Sequence, residues 1–320
     1  MTFFRIILIF SLFFAFTNAS TIIKPQQILN TSGGVTDIVI NKDKLYASTT
    51  SGTIDIFDIK SKKLLNKIQV PKTVDFMGDE IDAKIYSVDV LNNKILILSQ
   101  GKKGGRNVFL YEDNKLSKVI DETKRLFISK AKFISKDKII YSLLSNQFFL
   151  FDLSKKQNIY ERQISQSRFS DFSLNDDKSK IILADESGVL HEYQISNGRF
   201  IRNFKNQNLD NVYQVDWKKD TIITAGQDRR SVVYNETTQN AYYKKSDFLV
   251  YSCGLSPNSH YAGYSSDELN TVTIFNTLTQ TNMYKLIDNK MLITNIIFLN
   301  NNEIFVSSDD SKINYYKIKD

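Results

Sequence analysis

The chain has 320 residues, a formal net charge of +7, two histidines and a single cysteine. One cysteine excludes an intramolecular disulfide framework, so stability must come from a hydrophobic core, for which this length is ample. Two isolated histidines exclude a dense histidine metal centre, and lysines interspersed with aspartates point to solvated turns rather than a nucleic-acid footprint.

The residues that are plentiful favour sheets. Twenty-two Phe and sixteen Tyr accompany abundant Ile and Leu, while Ala is scarce. Three prolines exclude a proline-rich linker.

The chain opens on Arg5, an apolar run over residues 6–16, and the small residues of Thr17-Asn18-Ala19. This pattern predicts a cleaved signal peptide over residues 1–19, with Ser20 as the mature N-terminus. The run is about 11 residues, short of the ~20 that span a bilayer as a helix. No cysteine follows the cleavage position, so a lipoprotein anchor is not expected, and no later segment is apolar enough to span a membrane. An exported protein of this size without disulfides fits a bacterial periplasm. The expectation is one soluble periplasmic domain over residues 20–320, monomeric, with no stable membrane insertion after cleavage.

Residues 25–29 form an extended segment without an obvious partner. From Val35 a unit begins that then recurs. Val35-Thr36-Asp37-Ile38-Val39-Ile40 alternates, Leu45-Tyr46-Ala47-Ser48-Thr49 follows a polar turn, and Thr53-Ile54-Asp55-Ile56-Phe57-Asp58 follows Ser51-Gly52. A fourth strand covers residues 64–68. These are short strands joined by hairpin-length turns. Further copies start near Ile85, Ala131, Phe169, Val212, Leu249 and Ile293. Their starts lie roughly 37 to 50 residues apart, the period of four-stranded propeller blades. The second strand of each copy is nearly all apolar, as a strand buried between neighbouring blades must be. The seventh copy has only three strands, which would leave an open edge. Residues 25–29 are expected to fill it, closing a seven-bladed ring.

The blades resemble the WD40 family. Phe57-Asp58, Phe151-Asp152, Tyr234-Asn235 and Phe275-Asn276 end third strands where that family has Trp-Asp. Ala225-Gly226-Gln227-Asp228 and Ser307-Ser308-Asp309-Asp310 resemble its Ser-Gly-x-x-Asp turn, and Leu255-Ser256-Pro257-Asn258 its Phe-Ser-Pro-Asp turn. Its Gly-His pair is missing, because neither His191 nor His260 follows a glycine. The family's buried Asp-His-Ser-Trp network therefore does not carry over, and blade geometry is expected to rest on apolar packing and turns. The leader, together with Asp75-Phe76-Met77-Gly78-Asp79-Glu80, Tyr86-Ser87-Val88-Asp89 and Ala225-Gly226-Gln227-Asp228-Arg229-Arg230, also resembles the NapL family of propeller-like accessory proteins in bacterial periplasmic nitrate reductase systems. That resemblance implies a non-catalytic scaffold for assembly, stability or electron supply in nitrate respiration, with a reductase component as protein partner.

Sequence alone supplies no catalytic constellation: no metal-ligand spacing, phosphate loop or nucleophile elbow is present. No catalytic, cofactor or metal residue is assigned. His191, expected to be partly exposed, and His260 are read as structural, Cys253 as a buried small hydrophobe, and Trp217 as packing between blades. Partner-binding candidates come from three connections. Phe76 and Met77 are apolar anchors beside Asp79 and Glu80 in the longest connection. Lys102, Lys103 and Arg106 form a basic turn. Asp228, Arg229 and Arg230 form another, in which Asp228 either holds one guanidinium or caps the turn, leaving an arginine for a partner. In the repeat alignment all three open on one face. Two other functions remain compatible with a propeller: a general envelope or outer-membrane assembly protein that binds extended chains, and a calcium-dependent hydrolase using acids in the channel.

Overall fold

Alternating apolar residues make each repeat a twisted antiparallel meander, and twisted meanders pack face to face around an axis. The structure, a computed structural model, describes residues 20–319; the expected leader lies outside the described residues. It shows seven such sheets arranged as a seven-bladed β-propeller.

The chain enters through β1 (Thr21–Ile23) and β2 (Gln27–Asn30). Blade one is β3 (Val35–Asn41), β4 (Lys44–Thr49), β5 (Thr53–Asp58) and β6 (Leu64–Gln69). A small hairpin, β7 (Thr73–Val74) and β8 (Glu80–Ile81), leads into blade two, with β9 (Ile85–Leu91), β10 (Lys94–Gln100), β11 (Arg106–Glu112) and β12 (Lys115–Ile120). Blade three is β13 (Ile128–Ser135), β14 (Lys138–Leu143), β15 (Gln147–Asp152) and β16 (Gln157–Gln163). Blade four is β17 (Phe169–Leu174), β18 (Lys180–Asp185), β19 (Leu190–Gln194) and β20 (Arg199–Phe204). Blade five is β21 (Val212–Lys218), β22 (Thr221–Gly226), β23 (Arg230–Asn235) and β24 (Ala241–Lys245). Blade six is β25 (Cys253–Leu255), β26 (Tyr261–Ser265), β27 (Val272–Asn276) and β28 (Asn282–Leu286). Blade seven is β29 (Ile293–Phe298), β30 (Glu303–Ser308) and β31 (Lys312–Lys317), completed by β2.

The expected closure is present. β2 pairs antiparallel with β31, Leu29 opposite Ile313, and fills the open edge. A second staple was not expected. β1 adds in parallel to the outer strand of blade six, Ile23 opposite Leu286. Residues 21–30 therefore tie blade six to blade seven.

The core is distributed over seven seams rather than one centre. In β10, Ile95 and Ile97 pack toward blade one while Leu96 and Leu98 pack toward blade three. This two-sided burial explains why second strands are apolar throughout. Trp217, 1 % exposed, fills the seam between blades four and five, and its indole N–H donates to the Lys219 carbonyl at 2.9 Å.

Apolar packing is not the only fastening, contrary to the expectation. In blade five the Asn208 amide donates to the Tyr234 hydroxyl at 2.9 Å and accepts from Thr224 Oγ1 at 2.8 Å. Tyr234 stands where the WD40 pattern has Trp. In blade seven the direction is reversed, and the Tyr316 hydroxyl lies 2.9 Å from its acceptor Asn289 Oδ1. In blade four Asp185 gathers Asn146 and Ser165, each at 2.8 Å, with His191 Nε2 at 3.2 Å. His191 is thus buried, 8 % exposed, rather than partly exposed. Buried polar clusters thus join the apolar packing in blades four, five and seven.

Candidate functional site: the loop face and the channel

Because successive strands reverse direction, turns between second and third strands open on the same face as the connections between blades. The hairpin β7–β8 stands on this loop face. Asp75 Oδ1 accepts the Met77 amide at 2.8 Å and the Asp79 amide at 3.0 Å, while the Asp75 amide donates to the Asp79 carbonyl at 3.0 Å. Gly78 closes the tip at φ +98°, a conformation costly for other residues. The backbone is thus pinned and the side chains at its tip are not. Phe76 is 86 % exposed and Met77 87 %. Asp79 and Glu80 are exposed beside them, with Glu80 Oε2 3.3 Å from Lys72 Nζ.

The turn at Lys102–Gly104 lies against β7, so the fold brings two of the three candidate segments together. Its Lys102 amide donates to Glu122 Oε2 at 3.2 Å. The Lys102 and Lys103 side chains are exposed. Arg106 is turned inward: Nη1 donates to the Gly104 carbonyl at 2.6 Å and the guanidinium lies 4.1 Å from the Tyr86 ring centroid. Burial lowers its pKa. Arg106 therefore braces the turn.

The Asp-Arg-Arg turn belongs to blade five, across the ring from the hairpin. Asp228 holds no guanidinium. Its Oδ1 accepts the Arg230 amide at 3.1 Å and its Oδ2 accepts the Leu209 amide at 2.7 Å. Of the two turn options read from the sequence, capping is the one present. Arg230 Nη1 donates to the Gln207 carbonyl at 2.9 Å, and its guanidinium lies 4.2 Å from the Tyr243 centroid. Arg229 is the exposed member, held in the left-handed region at φ 62°.

Sequence reasoning missed other apolar residues on this face. Phe127, Leu209, Leu269, Met291 and Leu292 are exposed on blade connections or second-to-third turns. In the turns of the opposite face, the one large apolar side chain exposed among the described residues is Leu278. A signal was available, since Leu209 and Leu269 each stand alone among polar residues in their connections.

The channel was expected, but its lining aspartates and lysines were not singled out. It encloses about 440 Å³ and is lined by the innermost strands. Four aspartates there reach the next blade: Asp37 accepts the Val88 amide at 3.1 Å, Asp89 that of Phe133 at 2.7 Å, Asp171 that of Val215 at 3.0 Å, and Asp216 that of Leu255 at 2.9 Å. Lys132 Nζ donates to the Val88 carbonyl at 2.8 Å and lies 3.5 Å from Asp37, and Lys130 Nζ is 2.6 Å from Asp171. Burial lowers the Lys132 pKa, but Asp37 and Asp89 outweigh it and the net direction is upward. Cys253 also lines the channel; it is buried, and desolvation raises its thiol pKa well above the ordinary value. Thiolate chemistry is thereby suppressed. His260 lies at the opposite face, with Nδ1 3.1 Å from Asn258 Nδ2. Among the described residues no group of three or more His, Cys, Asp or Glu side chains is placed to hold a metal ion.

Comparison with protein-family models gives no match, and comparison with curated proteins gives none either.

Proposed function

We propose that the protein is a non-catalytic periplasmic propeller that binds a protein partner on its loop face as a monomer. The observation that carries this reading is the tip of β7–β8. Phe76 and Met77 are held in solvent on a hairpin whose backbone is already ordered. Two large apolar groups left in solvent contribute nothing to folding, and a rigid display lowers the entropy lost on association. Apolar anchors inside a rim of Asp79, Glu80, Lys102 and Lys103 have the composition of a protein interface. Arg229, Leu209 and Leu269 extend the same face on the far side of the ring.

The finer reading is an accessory role in the periplasmic nitrate reductase system, in assembly, stability or electron supply. Its support is the resemblance in residues 75–80, 86–89 and 225–230, two of which are loop-face segments. Capture from periplasm tests it. The wild-type chain should retain a reductase component, and the Phe76→Ser/Met77→Ser chain should lose it. Wild-type capture without any reductase component would remove the nitrate assignment, and a broad set of outer-membrane clients would favour envelope assembly instead. The calcium-hydrolase alternative has less support, because the channel acids are already bonded to amides and lysines. Thermal stabilisation by calcium that disappears in Asp89→Asn would revive it.

A further inference from the structure

Turns between first and second strands, and between third and fourth, open on the face opposite the hairpin. Lysines scattered along the sequence are collected there. In blades one to three, residues 41–44, 58–63, 92–94, 112–115, 135–138 and 152–156 contain eleven lysines, six carboxylates and no arginine. Lys42, Lys60, Lys63, Lys115, Lys155 and Lys156 are exposed, and among the described residues none lies within ion-pair distance of a carboxylate. The ion pairs these turns do form, Lys94–Glu112 at 3.2 Å and Lys136–Asp137 at 4.0 Å, use other lysines. Blades four and five differ: there Asp176 pairs with Lys219 at 3.1 Å and Glu236 with Lys180 at 2.9 Å. The positive sector is therefore one-sided.

The composition of these turns says what kind of surface they fit. Among the described residues the turns of this sector expose no large apolar side chain; Leu64 and Leu65, exposed beside Lys63, belong to the outer strand β6. Interface cores between proteins need such anchors and are depleted in lysine. Lysine is a mobile point charge that suits diffuse negative charge, whereas arginine suits a fixed, forked anion.

We propose that this face docks peripherally on an anionic phospholipid bilayer. Lys42, Lys60, Lys63, Lys155 and Lys156 meet the headgroups, and the loop face points away from the membrane. Nothing inserts into the bilayer. The attraction is electrostatic and falls with salt.

Co-sedimentation of the chain over residues 20–320 with two kinds of vesicle tests this. One is phosphatidylcholine alone, and the other is phosphatidylcholine and phosphatidylglycerol in equal parts. Binding is expected only to the second, and it should weaken as salt is raised. Changing those five lysines to Glu should reduce binding by at least about tenfold. The loop-face variant Lys102→Glu/Lys103→Glu/Arg229→Glu should bind like wild type. Circular dichroism establishes that both variants are folded. No binding to phosphatidylglycerol vesicles at low salt would overturn the proposal, as would equal loss in both variants. Binding to polyglutamate without binding to vesicles would overturn it in favour of an acidic protein.

Discussion

Asp89 on the inner strand of blade two accepts the backbone amide of Phe133 on the inner strand of blade three at 2.7 Å. The bond joins two blades at the channel wall, where both groups are buried. Truncation would leave the Phe133 amide unsatisfied and remove a counter-charge from Lys132. Asp89→Ala is expected to lower stability by about 1–3 kcal/mol with an unchanged denaturant slope. Asp79→Ala, at an exposed side chain, should stay within about 0.5 kcal/mol. Urea titration of both variants makes the comparison, and equal midpoints would deny the staple.

Blades four and five share a charged seam. Glu192 is fully buried, with Arg202 Nε 2.9 Å and Lys180 Nζ 3.2 Å away, and Arg202 Nη2 also reaches Glu236 at 2.9 Å. Removing the guanidinium leaves the buried Glu192 and its neighbour Glu236 sharing Lys180. Arg202→Met should cost up to about 3 kcal/mol, the lower end for breaking a buried pair, because Lys180 remains. The double change Arg202→Met/Glu192→Gln should cost less than the single one. A double variant less stable than Arg202→Met would contradict this account of the seam.

The repeat, the blade number and the ring closure were legible because each rests on local pattern. Alternation in β3, unbroken apolar residues in β10, and a missing partner for β31 are all written in sequence order. Other features depend on partners distant in the chain. Arg106 and Arg230 stand as partner-binding candidates until Tyr86 and Tyr243 are placed beneath them. Asn208 gives no sign of its buried role, since its partners Thr224 and Tyr234 lie on different strands. β1 pairs with a strand near the other end of the chain, which no local pattern reveals. The inner aspartates were visible as residues, but only the ring direction shows that each points to the next blade.

Acid should weaken blade four through Asp185. Burial alone would raise the Asp185 carboxyl. Hydrogen bonds from His191, Ser187 and Ser165 override it and hold the group well below the usual carboxylate range. A depressed folded-state pKa adds stability above the unfolded value of about 3.9, and that stability is lost as pH falls further toward the folded value. Denaturation midpoints of wild type should fall steeply below about pH 4. Asp185→Asn should be less stable near neutrality and flatter in acid. An unchanged acid slope in Asp185→Asn would place the sensitivity elsewhere.

Ring closure depends on β2. Deleting residues 20–30 removes the partner of β31 and reopens an edge carrying unpaired amides. The shortened chain should unfold at lower temperature and self-associate in gel filtration. Deleting residues 20–24 alone removes only the outer parallel strand, so a smaller shift is expected. Equal melting temperatures for all three chains would remove closure from the account.

The hairpin tip carries the central claim, and one measurement isolates it. Capture from periplasm with Phe76→Ser/Met77→Ser should lose the partner held by wild type by at least tenfold, as loss of two anchors implies at roughly 1.4 kcal/mol or more. The melting temperature should not fall, because neither side chain is packed in the fold. Capture equal to wild type would contradict the loop-face assignment.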